Sequence, residues 1–530
     1  MWTTGWRDRA FSQFNEQWDL VIIGGGITGA GVLLEASRLG LRALLLEARD
    51  FSSGTSSRST KLVHGGLRYL RQGQVGVTRE SVVERERLMK EAKGLIAPLG
   101  FCLTSFPSDK MPGWMFGAGL ALYDLIALKW QHSKLSRAQL LAKIPLLEGT
   151  EIKSSYHYFD AQTDDSRLVL RVLLEAQRHG GVAINHCGVR SLLRDKAGQV
   201  VGVVAADLAG SEKTFEIRAK SVVNATGAWA DNLRKDVGGE KRLRQIRGSH
   251  LLFSKQRLPL REAISLMHPR DGRAVFAIPW EGTTIIGTTD IDHKHDLDVE
   301  PWITQGEAEY ILEAAIALFP SLELTERDIV STWSGVRPVI NTGAKDPSKE
   351  SREHALWMEN GLLTVTGGKL TTFRIMARDV LEALEPVFGR DLTKKRETIF
   401  ETPSDETLDS LKRAEFSDDM YNRMIGRHGH DVGAIADLGD ESKQFIGDSI
   451  ATWGELRWAA RSEAVVHLDD LLLRRVRIGM FLADGASSVM PQVRAVVQSE
   501  LGWDDARWER EEVAYRKVWE TAYGTRFVSE

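Results

Sequence analysis

Cysteine is almost missing from this chain: two residues in 530, Cys102 and Cys187. Neither belongs to a CxxC pair or a Cys/His cluster, which argues against a disulfide framework and against structural zinc. Both read as small buried side chains in a protein of a reducing compartment. Other metal sets are lacking too: there is no HExxH, no acidic EF-hand loop and no Cys/His tetrad. His293 and His295 (HKH) read as an exposed loop, so no metal is expected. Charge of one sign is also lacking. A net charge of -4 supplies no basic field, and no nucleic-acid partner is expected. The leader MWTTGWRDRAFSQFNEQ has no apolar core after a basic start and is not read as a signal peptide. No internal repeat or low-complexity tract is visible.

Long apolar runs are rare, and one stands out. Residues 111–130, MPGWMFGAGLALYDLIALKW, are almost wholly apolar and aromatic at both ends. A spanning helix needs about 20 such residues. Asp124 interrupts this one, and Pro112 and Gly113 shorten what can be regular helix. Three readings stay open: a buried core helix, a segment lying in one leaflet of a membrane surface, and a spanning helix, which fits less well than the one-leaflet segment.

What is present is an ordinary globular balance, 42% hydrophobic and 27% charged. The length suggests three or so domains at about 150 residues each. WDLVII (18–23) is a short apolar run ending in glycines, as a buried strand would be. A helical pattern follows over 28–39, Gly40 ends it, and LRALLLEA supplies a second strand. Helix is expected at 78–95, 164–179, 304–318 and 370–386. Strand is expected at VAINH, and VVGVVAADL with KTFEIRAKSVVN reads as a hairpin. Residues 245–290 alternate as an antiparallel sheet does. Past Pro403 the pattern becomes charged and helical and holds five tryptophans, so a boundary is expected near 395–405.

Gly24, Gly26 and Gly29 satisfy G-x-G-x-x-G between a strand and a helix that opens at Ile27 and Thr28. Gly24 permits the tight turn, Gly26 lets the backbone approach a pyrophosphate, and Gly29 lets the helix pack close to the sheet. The pyrophosphate then meets the positive end of the helix. Glu47, about 20 residues on at the end of the second strand, suits ribose hydroxyls. The serine-rich loop with Ser56 and Ser57, and NATG ending at Gly227, favour FAD over NAD. A second glycine turn, Gly367-Gly368-Lys369-Leu370-Thr371, opens a late helix whose amides could face the pyrimidine edge of a flavin.

These segments carry a resemblance. DLVIIGGGITGAG, TSSRSTKLVHGGLRYL, DDSRLVL, NATGAW, GSHLLF, IIGTTD, WSGVRPV and TGGKLTTFR stand in the order found in the FAD-dependent glycerol-3-phosphate dehydrogenases. That family lies within the D-amino-acid-oxidase-like flavoproteins. The likeness runs over roughly 18–380, and HLDDLLLRRVRIGM (467–480) resembles the family's helical tail. It implies an α/β fold: a Rossmann-like FAD-binding domain (about 18–75, 160–235 and 355–390) interleaved with an antiparallel-sheet substrate domain (about 76–159 and 236–354). A helical C-terminal domain (403–530) would follow the 18–400 oxidoreductase region.

The resemblance further implies oxidation of sn-glycerol 3-phosphate to dihydroxyacetone phosphate. Hydride passes from C2 to flavin N5, and electrons then pass to membrane quinone. The chain would sit peripherally on the cytoplasmic face of the cell membrane, which favours the interfacial reading of 111–130; a homodimer is compatible. A phosphate dianion calls for fixed cations. Arg68, Arg337, Arg352 and Lys369 are the candidates, with Tyr69 as a further donor, and Arg337 is expected in a shaped Gly/Pro turn. His250 is the first candidate to take the hydroxyl proton and His64 the second. Lys61 is a candidate to help hold a noncovalent FAD. Three alternatives remain: an oxidase of the same substrate using O2, an amino-acid oxidoreductase of the same fold, and a flavin-binding, membrane-associated scaffold without turnover.

Overall fold

The strand Trp18–Ile23 lies in the middle of an eight-stranded sheet. It pairs in parallel with Ala43–Leu46 on one side and with Thr214–Asn224 on the other. Val182–Ile184 and Leu362–Gly367 continue the parallel order outward, and His354–Glu359 closes one edge antiparallel. Thr214–Asn224 does two jobs. Its first half pairs with Val200–Asp207 in the hairpin the sequence suggested, and its second half enters the parallel sheet. Strands covered on both faces have no polar side to show, which is why WDLVII and ALLL are nearly unbroken apolar runs. The helices Ile27–Arg38, Asp165–Arg178 and Phe373–Phe388 pack into one core against this sheet. In this computed structural model the described residues are 2–67, 74–107, 113–127, 130–343, 350, 353–393 and 397–527.

The second sheet has ten strands. Leu243–Ser254 pairs antiparallel with Thr283–Gly287 and, along nearly its whole length, with Ile329–Ile340. The meander continues through Ala274–Trp280 and Ala263–Met267. Ile96–Ser105 and Ser154–Thr163 extend it, and their sequences gave little sign of doing so. IAPLGFCLTS carries a proline and a glycine, and SSYHYFDAQT buries Ser155, His157, Asp160 and Thr163 alongside Tyr158 and Ala161, without a clean apolar alternation. One expectation is corrected here. SGVRP does not form a turn; it is part of the twelve-residue strand Ile329–Ile340. Gly335 is required by close approach, because a Cβ there would lie 2.6 Å from the Arg58 carbonyl oxygen. Pro338 is tolerated because, among the described residues, this strand has a single strand partner.

The tail is helical, with Asp405–Arg413, Asp418–His428, Trp453–Ser462 and Asp505–Ala522 capped by the side chains of Ser404, Ser417, Thr452 and Asp504. Leu411, Met424, Val432 and Ile435 give it a small core of its own, but the larger one is shared. Trp503, Trp508 and Trp519 belong to one cluster with Leu252, Trp280, Ile285 and Trp333 of the second sheet. Buried ion pairs bind it to the first half of the chain. Arg167 meets Glu463 through two bonds of 2.6 and 3.0 Å, and Arg475 meets Asp50 through two of 2.7 Å. Arg167→Met would leave Glu463 buried without its fork. A loss of about 3–5 kcal/mol is expected in urea unfolding, and a loss below about 1 kcal/mol would contradict the inferred weight of this contact.

The helix Trp114–Ala127 turns Phe116, Leu120 and Tyr123 inward. Trp114 (68% exposed), Leu125 (64%) and nearby Trp130 (71%) stand in solvent, so a wholly buried core helix does not describe it. Among the described residues no helix is long and apolar enough to cross a membrane.

Candidate active site

A cavity of about 580 Å³ opens at the carboxyl ends of the parallel strands, where Ile23, Leu46, Ala225 and Val365 form part of its wall. A crevice at this end is where an open α/β sheet takes its ligands. Gly24 turns the chain out of the first strand with φ +111, and a Cβ on it would lie 2.6 Å from the Ala225 carbonyl oxygen. A Cβ on Gly29 would lie 1.9 Å from the Gly24 carbonyl oxygen, so the helix can approach the turn only with glycine there. Gly26, Ile27 and Thr28 line the cavity at the start of that helix. No side chain caps Gly26, and the Ile27 amide donates to Ser56 Oγ at 3.0 Å.

Glu47 also lines the cavity and is fixed by the Gly25 and Arg49 amides, which donate to its two oxygens at 2.7 and 2.8 Å. Burial pushes its carboxyl above the usual range, with these two hydrogen bonds opposing. Arg49 lies over the Trp229 ring at 5.4 Å, and both reach the same wall. Gly227 and the run Gly367 to Thr371 line the cavity as well. Thr371 Oγ1 donates to the His64 carbonyl oxygen at 3.2 Å, tying the two loops together.

A different chemistry gathers around His250. Its ring stacks on Trp333 with centroids 4.7 Å apart, and Nε2 shares a 2.9 Å hydrogen bond with Thr60 Oγ1. Nδ1 is buried without a hydrogen-bond partner among the described residues. Burial first, then the charges of Lys61 and Arg337, hold the imidazole well below the usual histidine range, so it is neutral near pH 7. Arg337 lines the cavity from its strand and donates through Nη2 to Thr289 O at 3.0 Å and to Asp290 at 2.9 Å. Lys369 donates to Ser81 Oγ at 2.6 Å, and His64 shares the wall. Phe101, Tyr158 and Phe276 supply apolar surface. Asp160 accepts from the Gly65 amide and from Arg85, fixing the loop that follows His64.

Most of the expected residues therefore surround one cavity. Three do not line it. Gly29 packs against the Gly24 turn, as its role requires. Ser57 is buried, and its carbonyl oxygen accepts from Lys61 at 2.5 Å. Lys61 is wholly buried and spends its ammonium on Asp165 and Ser57 rather than on the cavity. Arg68, Tyr69 and Arg352 lie outside the described residues. The sequence reading missed Thr60, Arg58, Tyr158 and Asp160. Thr60 sits in a loop already singled out, but nothing in its spelling points at a histidine 190 residues away. Two carboxylate–histidine triads, Asp50–His186–Asp470 and Glu175–His179–Glu401, have metal-ligand spacing. Arginines occupy both, Arg474 and Arg475 at Asp50 and Arg38 at Glu175, so they act as ion-pair junctions.

The family described as FAD dependent oxidoreductase matches residues 19–381, and the C-terminal domain of alpha-glycerophosphate oxidase matches 396–508. The chain belongs to the FAD-dependent oxidoreductase family. It is 35% identical over 487 residues to an aerobic glycerol-3-phosphate dehydrogenase of Staphylococcus haemolyticus, with 87% of each chain covered. The Staphylococcus aureus enzyme of the same name is 35% identical over 489 residues, again with 87% of each covered. A glycerol-3-phosphate dehydrogenase of Bacillus halodurans, solved in complex with FAD, superposes with a TM-score of 0.76 at 30% identity, covering 98% of this chain and 97% of that one. The cradle fits this family's cofactor: a glycine turn whose Cβ positions are closed, a helix start whose N-cap residue is a glycine, and a fixed carboxylate 22 residues along. Gly24→Ala should overfill that turn and lower flavin content on purification about tenfold or more. Wild-type absorbance near 450 nm in the variant would contradict the close approach.

Proposed function

We propose that the protein oxidises sn-glycerol 3-phosphate to dihydroxyacetone phosphate at the cytoplasmic face of the cell membrane and delivers the electrons to membrane quinone. What supports the reading is a single cavity in which a nucleotide cradle continues into a wall holding a buried neutral histidine and two cationic side chains. The FAD dependence and the substrate agree with the relatives. Bound FAD supplies an acceptor for the hydride that leaves C2.

The chain's own residues do the rest. Gly24, Gly26, Ile27, Thr28 and Ser56 would hold the pyrophosphate against the helix start, Glu47 the ribose hydroxyls, and Gly367 to Thr371 the pyrimidine edge. Arg337 and Lys369 would hold the substrate phosphate, together with Arg68, Tyr69 and Arg352. His250, uncharged in its apolar pocket, is suited to take the C2 hydroxyl proton, and positive charge beside it eases the loss of that proton. Phe101, Tyr158 and Phe276 would keep water from the reacting carbon. In this assignment the first sheet carries the nucleotide (about 18–75, 160–235 and 355–390). The second binds substrate (about 76–159 and 236–354), and the helical domain runs from 403 to 530.

Anaerobic addition of glycerol 3-phosphate should bleach the flavin band; a band that persists with correctly folded, FAD-loaded protein would refute the assignment. Arg337→Ala should raise KM about tenfold or more with a smaller effect on kcat, as expected for a group that grips phosphate throughout the reaction. Oxygen consumption with peroxide release in the absence of quinone would favour an oxidase instead.

The outward apolar side of Trp114–Ala127 is suited to the lipid surface. About 14 residues make a helix of roughly 21 Å, too short for a bilayer core of about 30 Å but long enough to lie in its interface. Trp114→Ser combined with Leu125→Ser should weaken co-sedimentation with anionic lipid vesicles at least about tenfold, since each side chain contributes roughly 1.5–3 kcal/mol when buried. Unchanged co-sedimentation would remove this helix from the membrane contact.

A further inference from the structure

Lys61 was expected beside the flavin, yet its ammonium points elsewhere. It donates to Asp165 at 2.9 and 3.0 Å and to the Ser57 carbonyl oxygen, wholly inside the protein. Asp165 is a junction. The Ser59 amide and hydroxyl donate to it at 3.0 and 2.7 Å, and Arg477 from the helical tail donates at 2.6 Å. Arg477 is 0% exposed and also pairs with Asp164 at 3.1 Å. Lys61 and Arg477 both hold φ at +61, a left-handed conformation that side chains bearing a Cβ seldom adopt. Such geometry persists where surrounding contacts over-determine it, and those contacts are the ones just named.

The same lysine stands behind the reacting wall. Its Nζ lies 5.0 Å from the centre of the Trp333 ring, the ring on which His250 stacks, and 5.3 Å from that of Trp280. The residue before it, Thr60, makes the hydrogen bond to His250. Among the described residues, the charged neighbours that act on the imidazole are Lys61 from this loop and Arg337 from Ile329–Ile340. Gly287, where a Cβ would meet His250 Cδ2 at 2.4 Å, closes a further side.

We propose that Lys61, fastened by Asp165, which Arg477 of the C-terminal domain in turn holds, is a positioning residue that fixes Thr60 against His250 and keeps a positive charge behind the proton-accepting ring. It touches neither substrate nor cofactor. The proposal rests on His250 being the proton acceptor. Burial and then Arg477 bring Lys61 down to about 7, so in the acid range where His250 titrates the lysine is charged. A charge there disfavours the imidazolium and extends the working range of the base to lower pH. The C-terminal domain, through Arg477, thus becomes part of the chemistry and not only of the scaffold.

The test is the pH dependence of anaerobic flavin reduction by glycerol 3-phosphate, measured on FAD-loaded wild type, Lys61→Met, Lys61→Gln and His250→Asn. Both Lys61 variants should move the acid limb up by about one pH unit, with reduction slowed most below the new limb. Lys61→Gln keeps a hydrogen-bond donor for Asp165 and decides the question if Lys61→Met does not retain FAD. A merely structural lysine would change rate or flavin content and leave the limb where it was; an acid limb in Lys61→Gln within about 0.2 units of wild type overturns the proposal. His250→Asn separates the two ideas. If it loses the limb, the histidine reading stands and the lysine variants decide; if it keeps the limb, the proton acceptor lies elsewhere and the proposal falls with that reading.

Discussion

Three buried carboxylates, Asp50, Asp164 and Asp165, hold this molecule together, because each is met by arginines arriving from the far end of the chain. Arg474 and Arg475 reach Asp50, and Arg477 reaches Asp164 and Asp165. The carboxylates stand just after the second parallel strand and at the start of the helix Asp165–Arg178. A charge buried in this way costs heavily unless it is paired and hydrogen-bonded. The pairing therefore specifies one docking of the tail and disfavours slipped ones. The serine-rich loop between these carboxylates is fixed as a consequence, and it lines much of the cavity.

The same economy of polar contacts runs through the site. Ser56 meets the start of the helix, Thr60 meets His250, and Ser59 meets Asp165, so three neighbouring hydroxyls tie one loop to three separate parts of the fold. Across the cavity, Arg337 is steadied by Asp290, and Lys369 by Ser81. Cations held in advance lose little freedom when an anion arrives, and a low-dielectric wall strengthens their pull. His250 stays uncharged because burial and the charges of Lys61 and Arg337 disfavour its protonated form.

The helix Trp114–Ala127 joins this chamber to the exterior. Tyr123 on its inner side accepts from Arg85, which also donates to Asp160 in the cavity wall. Its outer side keeps large apolar groups in solvent. One helix therefore serves the packing of the second sheet and presents an apolar surface at the same time. A sequence that is apolar all round cannot announce which of its sides does which.

The sequence by itself determined what depends on local pattern. The strand–glycine–helix–strand opening, Glu47 at its interval, the alternating strands of 245–290 and the helical tail follow from period, spacing and the steric freedom of glycine, all of which act over a few residues. Gly24, Gly26, Glu47, His250, Arg337 and Lys369 were recognisable because motif or family order marked them, and they surround one cavity. Tertiary structure alone decided where long-range polar partners meet. It drew SGVRP into a strand by pairing it with Leu243–Ser254, and it turned Lys61 away from the cavity toward Asp165. It also brought Arg477 against a carboxylate 312 residues earlier. An ion pair has no sequence period: its partners are chosen by which buried charges would otherwise be left alone, and that is settled only when the sheets and the tail have closed on one another.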